Sequence, residues 1–592
     1  MRIQTVPSAL LLSLLACAGN TASAGGATAS SAAAPRGAGG LPTKLVLIGI
    51  NDTHGAILAQ PPPRWLAKTT RSDFGGADWF SSYVDAIRAE AKANGGATVL
   101  LDAGDMFQGT LVSNQFQGRS VVDVYNAIGV DAAAIGNHEF DFGIKALEDR
   151  EAQAKFPVLA ANIFKKGTRE RPTWARPTVM LTIDGLKVGV IGLTTVETPI
   201  VTQSTNIADV EFLPGGPIAA HLADELRAQG AQVVLITAHM GPKGDGEIQK
   251  VALACKGKVD AIVSGHHHIS IGPPPMIVEN IPIVQSGAKL QAFSVVELFL
   301  DGSGHVKSYA VNEHSLPRAE GPMPILHELN GQPVQYLGRT IKPNPRIQAI
   351  LASYDGQVQK LRDSTVGSSQ VELRKGGKDD LLANLAADAL RSGAGGSLKA
   401  QFAFQNSGGL RVSEIAAGPI TFGELFDLYP FDNQQMVLTL PAAGVRNALE
   451  AVLHAGKGPL KVSGLRYTVD WDRFHAGSDT RDAPPGAIVT ELIDENTGKS
   501  LCETKSCTET ACQADCAPGD FTVSVTDFLA NGGDGLALLR TARRETGSVL
   551  ARDIIVAYVK AHSPLTPKLL GEVSAGGALR IKQVGSPSGQ DE

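Results

Sequence analysis

The chain has 592 residues, 43% hydrophobic and 19% charged, more than one hydrophobic core accommodates, which predicts two or three domains. A mean hydropathy of +0.01 and 65 glycines describe a globular chain rather than a membrane-embedded one. The net charge of -6 excludes the broad basic surface that a nucleic-acid polymer needs, so a phosphate group would have to be met by metals and a few placed arginines.

The N-terminus reads as an export signal. Arg2 supplies positive charge, and Val6 to Ala16 form an apolar run broken mainly by Pro7 and Ser8, too short to span a bilayer. Two processing readings compete. Leu14-Leu15-Ala16-Cys17 resembles the lipobox of bacterial lipoproteins, where lipid on the Cys tethers a protein without a spanning segment. Ala22-Ser23-Ala24 resembles a cleavage site that releases an unanchored product. The position of Cys17 directly after the apolar run favours the anchor. Residues 18–42, rich in Ala, Gly and Ser, read as a flexible tether that completes a leader over 1–42.

Order begins at Lys44 and a first domain extends over 43–340. The short apolar runs KLVLIGI, ATVLLDAG, AAAIG, KVGVIGL, QVVLITA and AIVSG alternate with helix-like segments such as 78–93 and 218–229. That alternation predicts an α/β architecture. Pro343 and Pro345 then punctuate the chain, after which Ile347, Leu351, Tyr354, Val358 and Leu361 recur at helical spacing. This predicts an amphipathic linking helix within 341–364 whose apolar stripe packs against a neighbour. A second α/β region spans 365–582, with helix-like 380–391, strand-like 401–405 and the turn-rich stretch 527–535; residues 583–592 form a tail.

Cys502, Cys507, Cys512 and Cys516 crowd one polar segment. In an oxidising compartment they form two disulfides. Zinc is the alternative, but the spacings lack CxxC pairs. Three pairings are open. Cys255, alone, reads as a small buried apolar residue.

Five short motifs follow apolar runs of the first region: Asn51-Asp52-Thr53-His54-Gly55, Gly104-Asp105-Met106-Phe107-Gln108-Gly109, Gly136-Asn137-His138-Glu139, Ala238-His239-Met240-Gly241 and Gly265-His266-His267-His268. Sites in open α/β sheets form beyond the carboxyl ends of the strands, so motifs distant in sequence converge there. Asp52 and His54 are two residues apart, and extended backbone aims such a pair to one side. Asp105 has two oxygens and is able to bridge two metals. Two divalent ions activate a shared water, neutralise phosphate charge and fix in-line geometry. The donor set of His, Asp and Asn suits Zn, Mn, Co or Fe. Any one motif alone is weak; the five in order are not.

Together the motifs resemble those of the calcineurin-like metallophosphoesterases. The wording NDTHG, GDxxQG, GNHEFD, AHMG and GHHH resembles in particular the bacterial periplasmic 5′-nucleotidase / UDP-sugar hydrolase family over roughly 43–575. The resemblance implies a four-layer-type metallophosphoesterase domain, a linking helix and a C-terminal α/β nucleotide-binding domain. It implies one metal on Asp52, His54, Asp105 and His268 and a second on Asp105, Asn137, His239 and His266. It implies that His138, oriented by Asp141, assists the leaving oxygen. The family carries His or an amide at the position of His268. His267 and Glu139 read as supporting residues.

The second region holds Asn406-Ser407-Gly408-Gly409-Leu410-Arg411, Tyr429-Pro430-Phe431-Asp432-Asn433 and Phe528-Leu529-Ala530-Asn531-Gly532-Gly533-Asp534-Gly535. Aromatic rings stack on a flat base, carboxylates accept from ribose hydroxyls, and Arg presents a planar fork to phosphate. By the resemblance, Phe431 and Phe528 clamp the base, Asp534 holds the ribose, and Asn406, Arg411 and Arg374 hold base or phosphate groups. The chain departs from the family before the helix at 384–391, where it reads Lys378-Asp379-Asp380-Leu381-Leu382-Ala383-Asn384, and at Leu536, where an aromatic is common. Residues 502–516 read as an insertion that shapes the pocket rim.

The function so implied is an exported hydrolase of nucleoside 5′-phosphates, with UDP-sugars open as a further substrate, in which metal-bound hydroxide attacks phosphorus in line. Nothing in the sequence calls for an obligate protein partner. The rivals are a 2′,3′-cyclic-nucleotide phosphodiesterase / 3′-nucleotidase, a thiosulfohydrolase with little use for two aromatic clamps, and a binding lipoprotein without catalysis. The turn at 530–534 favours the 5′-nucleotidase branch.

Overall fold

The computed structural model describes residues 40–61, 73–244, 246–311, 321–377, 379–472, 486–507, 512–573 and 577–585. Most of the expected leader, Cys17 included, and residues 586–592 of the expected tail lie outside the described residues.

The first half contains β1 (Lys44–Ile50), β2 (Ala97–Asp102), β3 (Ala132–Ala134), β4 (Val158–Leu159), β5 (Thr178–Ile183), β6 (Leu186–Thr194), β7 (Val233–His239), β8 (Ala261–Ser264), β9 (Ser270–Val278), β10 (Ile281–Ser286), β11 (Ala292–Leu300) and β12 (Val306–Val311). They form two mixed sheets, ordered β12-β11-β1-β2-β3-β4 and β9-β10-β8-β7-β6-β5. Strands β1 to β4 run parallel, as do β6, β7, β8 and β10. Strand β1 is buried along almost its whole length, and a strand apolar on both faces needs cover on both. Leu45 and Leu47 meet Val188, Leu235 and Val263 of the other sheet. The alternate residues Val46, Ile48 and Ile50 face a core shared with Phe80, Tyr83 and Val84 of α1 (Ala77–Ala93) and with α2 (Arg119–Ile128). The outer face of the second sheet is covered by α3 (Gly215–Ala228) and α4 (Glu247–Ala254). The result is a helix–sheet–sheet–helix stack, the four-layer fold expected from the motifs.

The linking helix is α5 (Pro345–Arg362). Pro345 presets its first turn, and the Asn344 side chain accepts from the Arg346 amide. Ile347, Leu351, Tyr354 and Val358 are buried in the core of α1 and α2, where Phe426 of the second half joins them. Leu361 does not belong to that stripe: it is 46% exposed, because the last turn passes beyond the surface that covers the first four.

In the second half a five-stranded sheet runs Lys461–Ser463, Phe402–Gln405, Asp520–Thr526, Gln434–Pro441, Arg543–Leu550. One face packs on α6 (Leu381–Ser392) and the other on α7 (Ala442–His454), while α8 (Ala551–His562) lies beside α6. Helix α7 is covered in turn by a second five-stranded sheet that includes Leu465–Asp470 and Val489–Asp494. The cysteine segment is a hairpin at the edge of that sheet, Ser500–Cys507 against Cys512–Cys516. Cys502 pairs with Cys516 and Cys507 with Cys512, which leaves no thiolates there for zinc. Arg446 of α7 anchors the hairpin by donating to Thr504 Oγ1 at 2.7 Å. Cys255 is a buried free thiol.

Candidate active site

The expected motifs sit at the carboxyl ends of parallel strands from both sheets. Asp52 and His54 follow β1, Asp105 and Gln108 follow β2, Asn137 and His138 follow β3, His239 ends β7, and His266 and His268 follow β8. Their backbone is strained. Asp52, His54, Asp105, His266 and His268 all have positive φ, between 49° and 74°. Such conformations cost on the order of 1–3 kcal/mol each at non-glycine residues and persist where surrounding structure over-determines them. Gly136 permits one close approach: a Cβ there would stand 2.2 Å from Asp105 Oδ1.

The donor chemistry fits divalent cations. His54 Nδ1 lies 2.8 Å from the Gln108 carbonyl, and His239 Nδ1 2.8 Å from the Ala103 carbonyl. A carbonyl only accepts, so each ring carries its proton on Nδ1 and presents a lone pair at Nε2. His54 Nε2 stands 3.0 Å from His268 Nε2 and 3.7 Å from Asp105 Oδ2. His268 Nε2 is 3.2 Å from Asp52 Oδ1. His239 Nε2 is 3.1 Å from Asp105 Oδ2 and 3.1 Å from Asn137 Oδ1. Lone pairs and carboxylates converge with few protons among them, an arrangement that calls for positive charge at its centre. Two overlapping sets bring ligand atoms within 4.8 Å of one another, Asp52–His54–His268 and Asp52–Asp105–His239. His266 is adjacent, its ring 5.2 Å from that of His239, but its Nε2 faces Glu197 Oε2 at 3.6 Å.

The electrostatics agree. Burial raises the Asp105 pKa, but His239, His138 and His54 outweigh it and hold the group well below the usual carboxylate range. Burial disfavours positive charge on His239, but Asp105 outweighs it and favours that charge, which a cation bound at Nε2 would supply in place of the proton. Burial and Arg411 drive His54 well down. Glu139 is a brace: fully buried, it accepts from the amides of Asp105, Met106 and Gly136 at 2.7–2.8 Å. His267 is pulled down to about 4 by burial and His266.

His138 Nδ1 and Asp141 Oδ2 are 2.6 Å apart, and Thr202 Oγ1 donates to the other Asp141 oxygen at 2.7 Å. Burial lowers the His138 pKa, but Asp141 and then Asp105 raise it above its ordinary value. Its ring lies 5.2 Å from His54 and 5.8 Å from Phe431, between the metal ligands and an aromatic of the second half.

One cavity of about 550 Å³ is lined from both halves. Asp105, Asn137, His138, Asp141, His266 and His268 face Asn406, Arg411, Phe431, Phe528 and Asp534 across it. Asn406 Nδ2 donates to Asp534 Oδ2 at 2.7 Å. Arg411 Nη2 stands 2.9 Å from His54 Nε2, and its guanidinium lies 5.8 Å from the centre of the Phe431 ring. Gly533 lies against Phe528: a Cβ there would meet the ring at 2.5 Å.

Arg374 does not join them. Its side chain is 58% exposed and pairs with Glu372 at 3.0 Å. Strand alternation explains this, since buried Leu373 puts Arg374 on the opposite face. Its neighbour Lys375 turns inward instead and donates to the Leu410 carbonyl at 2.8 Å; burial and Arg411 bring its ammonium down to about 8. Lys289 donates to the Arg411 carbonyl at 2.7 Å, so two lysines hold the Arg411 segment. None of the described residues of the disulfide hairpin lines the cavity; they are seated on α7 at the sheet edge. Sequence reasoning also passed over Glu197 and Lys457. Lys457 Nζ is 3.2 Å from Glu197 Oε2, an ion pair across the two halves, and both line the cavity. The only available signal was position: Glu197 follows β6, whose apolar run ends in no recognised motif.

Comparisons with known proteins concur. Residues 45–270 match the calcineurin-like phosphoesterase family model and residues 357–541 that of the 5′-nucleotidase C-terminal domain. A snake venom 5′-nucleotidase from Naja atra is 29% identical, covering 90% of this chain and 99% of its own. A cell wall protein of Listeria monocytogenes is 26% identical over 87% of this chain and 67% of its own. The structure of a 5′-nucleotidase precursor from Thermus thermophilus superposes with a TM-score of 0.71 over 92% of this chain and 100% of that one, at 24% identity, a likeness of fold. The chain therefore belongs to the metal-dependent phosphoester hydrolases that join a calcineurin-like phosphoesterase domain to a 5′-nucleotidase C-terminal domain.

Proposed function

We propose that the protein is exported, held at the cell envelope by lipid on Cys17, and hydrolyses nucleoside 5′-phosphates to nucleoside and phosphate. The observation that carries the reading is the shared cavity: cation ligands on one wall, a pair of aromatics and a carboxylate on the other. Two divalent ions, Zn, Mn, Co or Fe, supply Lewis acidity and an activated water when bound. The ligands are Asp52, His54, Asp105 and His268 for one, and Asp105, Asn137, His239 and His266 for the other. Phe431 and Phe528 take the base between them. Asp534, oriented by Asn406, accepts from the ribose hydroxyls. Arg411 offers its guanidinium to the phosphate. Asp141 holds the proton on His138 Nδ1, and His138 Nε2 gives a proton to the departing 5′ oxygen. The raised His138 pKa supports an acid at that place. Export is supported by the N-terminal run and by the likeness to a cell wall protein. Among the described residues no helix is long and apolar enough to cross a membrane.

Phosphate release from AMP, UDP-glucose, 2′,3′-cyclic AMP and 3′-AMP, with Mn or Zn and with chelator, tests the reading. Chelator-sensitive release that is fastest from AMP supports it. Preference for the cyclic or 3′ substrate moves the protein to the phosphodiesterase / 3′-nucleotidase branch, and comparable release from UDP-glucose widens the substrate class. No release from any of the four overturns the reading in favour of a thiosulfohydrolase or a binding lipoprotein.

A further inference from the structure

We propose that Gln108 is a further substrate-binding residue, whose carboxamide Nε2 donates a hydrogen bond to a non-bridging oxygen of the phosphoryl group. The inference rests on the nucleotidase reading and adds a residue to it. Gln108 is 1% exposed, and neither its Nε2 nor its Oε1 has a hydrogen-bond partner among the described residues. A buried amide left without partners is expensive, so a group that meets it is expected.

Its place selects the partner. The Gln108 carbonyl accepts from His54 Nδ1 at 2.8 Å, which fixes its backbone beside a cation ligand. The following Gly109 packs so closely that a Cβ would stand 2.3 Å from the His54 carbonyl oxygen, and the Gly109 amide donates to Asn114 Oδ1 at 2.9 Å. Asn114 Nδ2 donates in turn to the Pro430 carbonyl at 2.7 Å, next to Phe431. The loop is thus held from both halves and has little freedom to turn the amide toward another protein group. Gln108 lines the cavity together with Asp105, His138 and Arg411. A cation ligand, an acid and a guanidinium together select an anionic group rich in acceptors, and an amide serves such a group through Nε2.

Gln285 provides an internal control. It too is buried with both amide atoms unpartnered, yet it lies on β10 and is not part of the cavity wall. The experiment compares Gln108→Leu, Gln108→Glu and Gln285→Leu with the parent in the Mn-loaded protein. Three quantities are read: kcat/KM on AMP, the affinity for inorganic phosphate by calorimetry, and the thermal midpoint. The proposal expects Gln108→Leu to lose on the order of 10- to 100-fold in both kcat/KM and phosphate affinity. Its thermal midpoint should be unchanged or higher, because an unpartnered amide has been removed. Gln108→Glu keeps the shape, loses the donor and adds a charge, so it should lose more; it carries the test alone if the Leu variant does not fold. Gln285→Leu should leave both activity and phosphate affinity within about twofold. Phosphate affinity and kcat/KM of Gln108→Leu within about twofold of the parent would overturn the proposal. A parent that binds phosphate but releases none from AMP would refute the nucleotidase reading instead, and the phosphate affinities would still decide the role of Gln108.

Discussion

The two walls of the cavity are built to different tolerances. On the phosphoesterase side Asp52, His54, Asp105, Asn137 and His239 are all at most 2% exposed, and several hold strained backbone. They are pinned by carbonyls, by Glu139 and by glycines that admit no Cβ. On the opposite wall Phe431 and Phe528 are only partly buried, and their partners are short loops. Ions demand fixed distances, whereas a stacked base tolerates a sliding ring. The difference predicts that damage to the first wall abolishes turnover and damage to the second re-grades substrate affinity.

The largest effect should come from Asp105. It is shared by both implied ligand sets and is held by the surrounding histidines. Asp105→Asn, or chelation of the parent, should lower kcat by on the order of 10³-fold or more, roughly 4 kcal/mol of barrier. Metal content by mass spectrometry should fall in the variant. A variant that keeps both its metal and its turnover would remove the contrast between the walls.

Next comes His138. His138→Ala should lower kcat by about 10²- to 10⁴-fold with KM nearly unchanged. The pH profile carries the sign. Asp141 raises the His138 pKa, the acid is required protonated, and activity falls as pH rises through that value. Asp141→Asn removes the raising charge, so its alkaline limb should move to lower pH. A limb that stays in place would assign it to another group.

The second wall should respond differently. Phe431→Ala or Phe528→Ala should raise KM for AMP by roughly 10- to 100-fold, since base–aromatic stacking is worth about 1–3 kcal/mol. Turnover of p-nitrophenyl phosphate, which has no base, should be little changed. If both substrates suffer alike, the aromatics shape the ion site and the two walls are not independent.

The same contrast governed what the sequence disclosed. The residues proposed as ion ligands are legible because that role needs a specific residue type directly after a strand, with glycines for close approach, as in Gly136-Asn137-His138. The strands themselves were legible because apolar runs such as KLVLIGI are buried on both faces. Substrate contacts on loops are less constrained, and register decides them: Arg374 and Lys375 are neighbours in sequence on opposite faces, and only the inward one meets the Arg411 segment. Leu361 matched the helical period of α5 but fell beyond the covered surface. Disulfide pairing awaited the hairpin register, which sets Cys502 opposite Cys516. Glu197 had only its position after β6 as a signal and the pairing with Lys457 had none, because a contact between halves depends on how distant segments meet.

That pair supplies the finest test of how the walls are joined. Lys457 and Glu197 are 28% and 31% exposed, so the ion pair is partly solvated and screened, and such pairs are worth about 0.2–1 kcal/mol. Its position matters more than its strength. Glu197 also faces His266, and His266 together with Lys457 outweighs the upward pull of burial and holds its carboxyl down at about 2. It therefore stays ionised throughout the working range and links the phosphoesterase wall to the other half. Lys457→Ala should raise KM for AMP by only about twofold to fivefold, with the difference shrinking as salt is added. Loss of kcat in the same variant, with KM unchanged, would mean that the lysine acts on the reacting phosphate rather than on the alignment of the two walls.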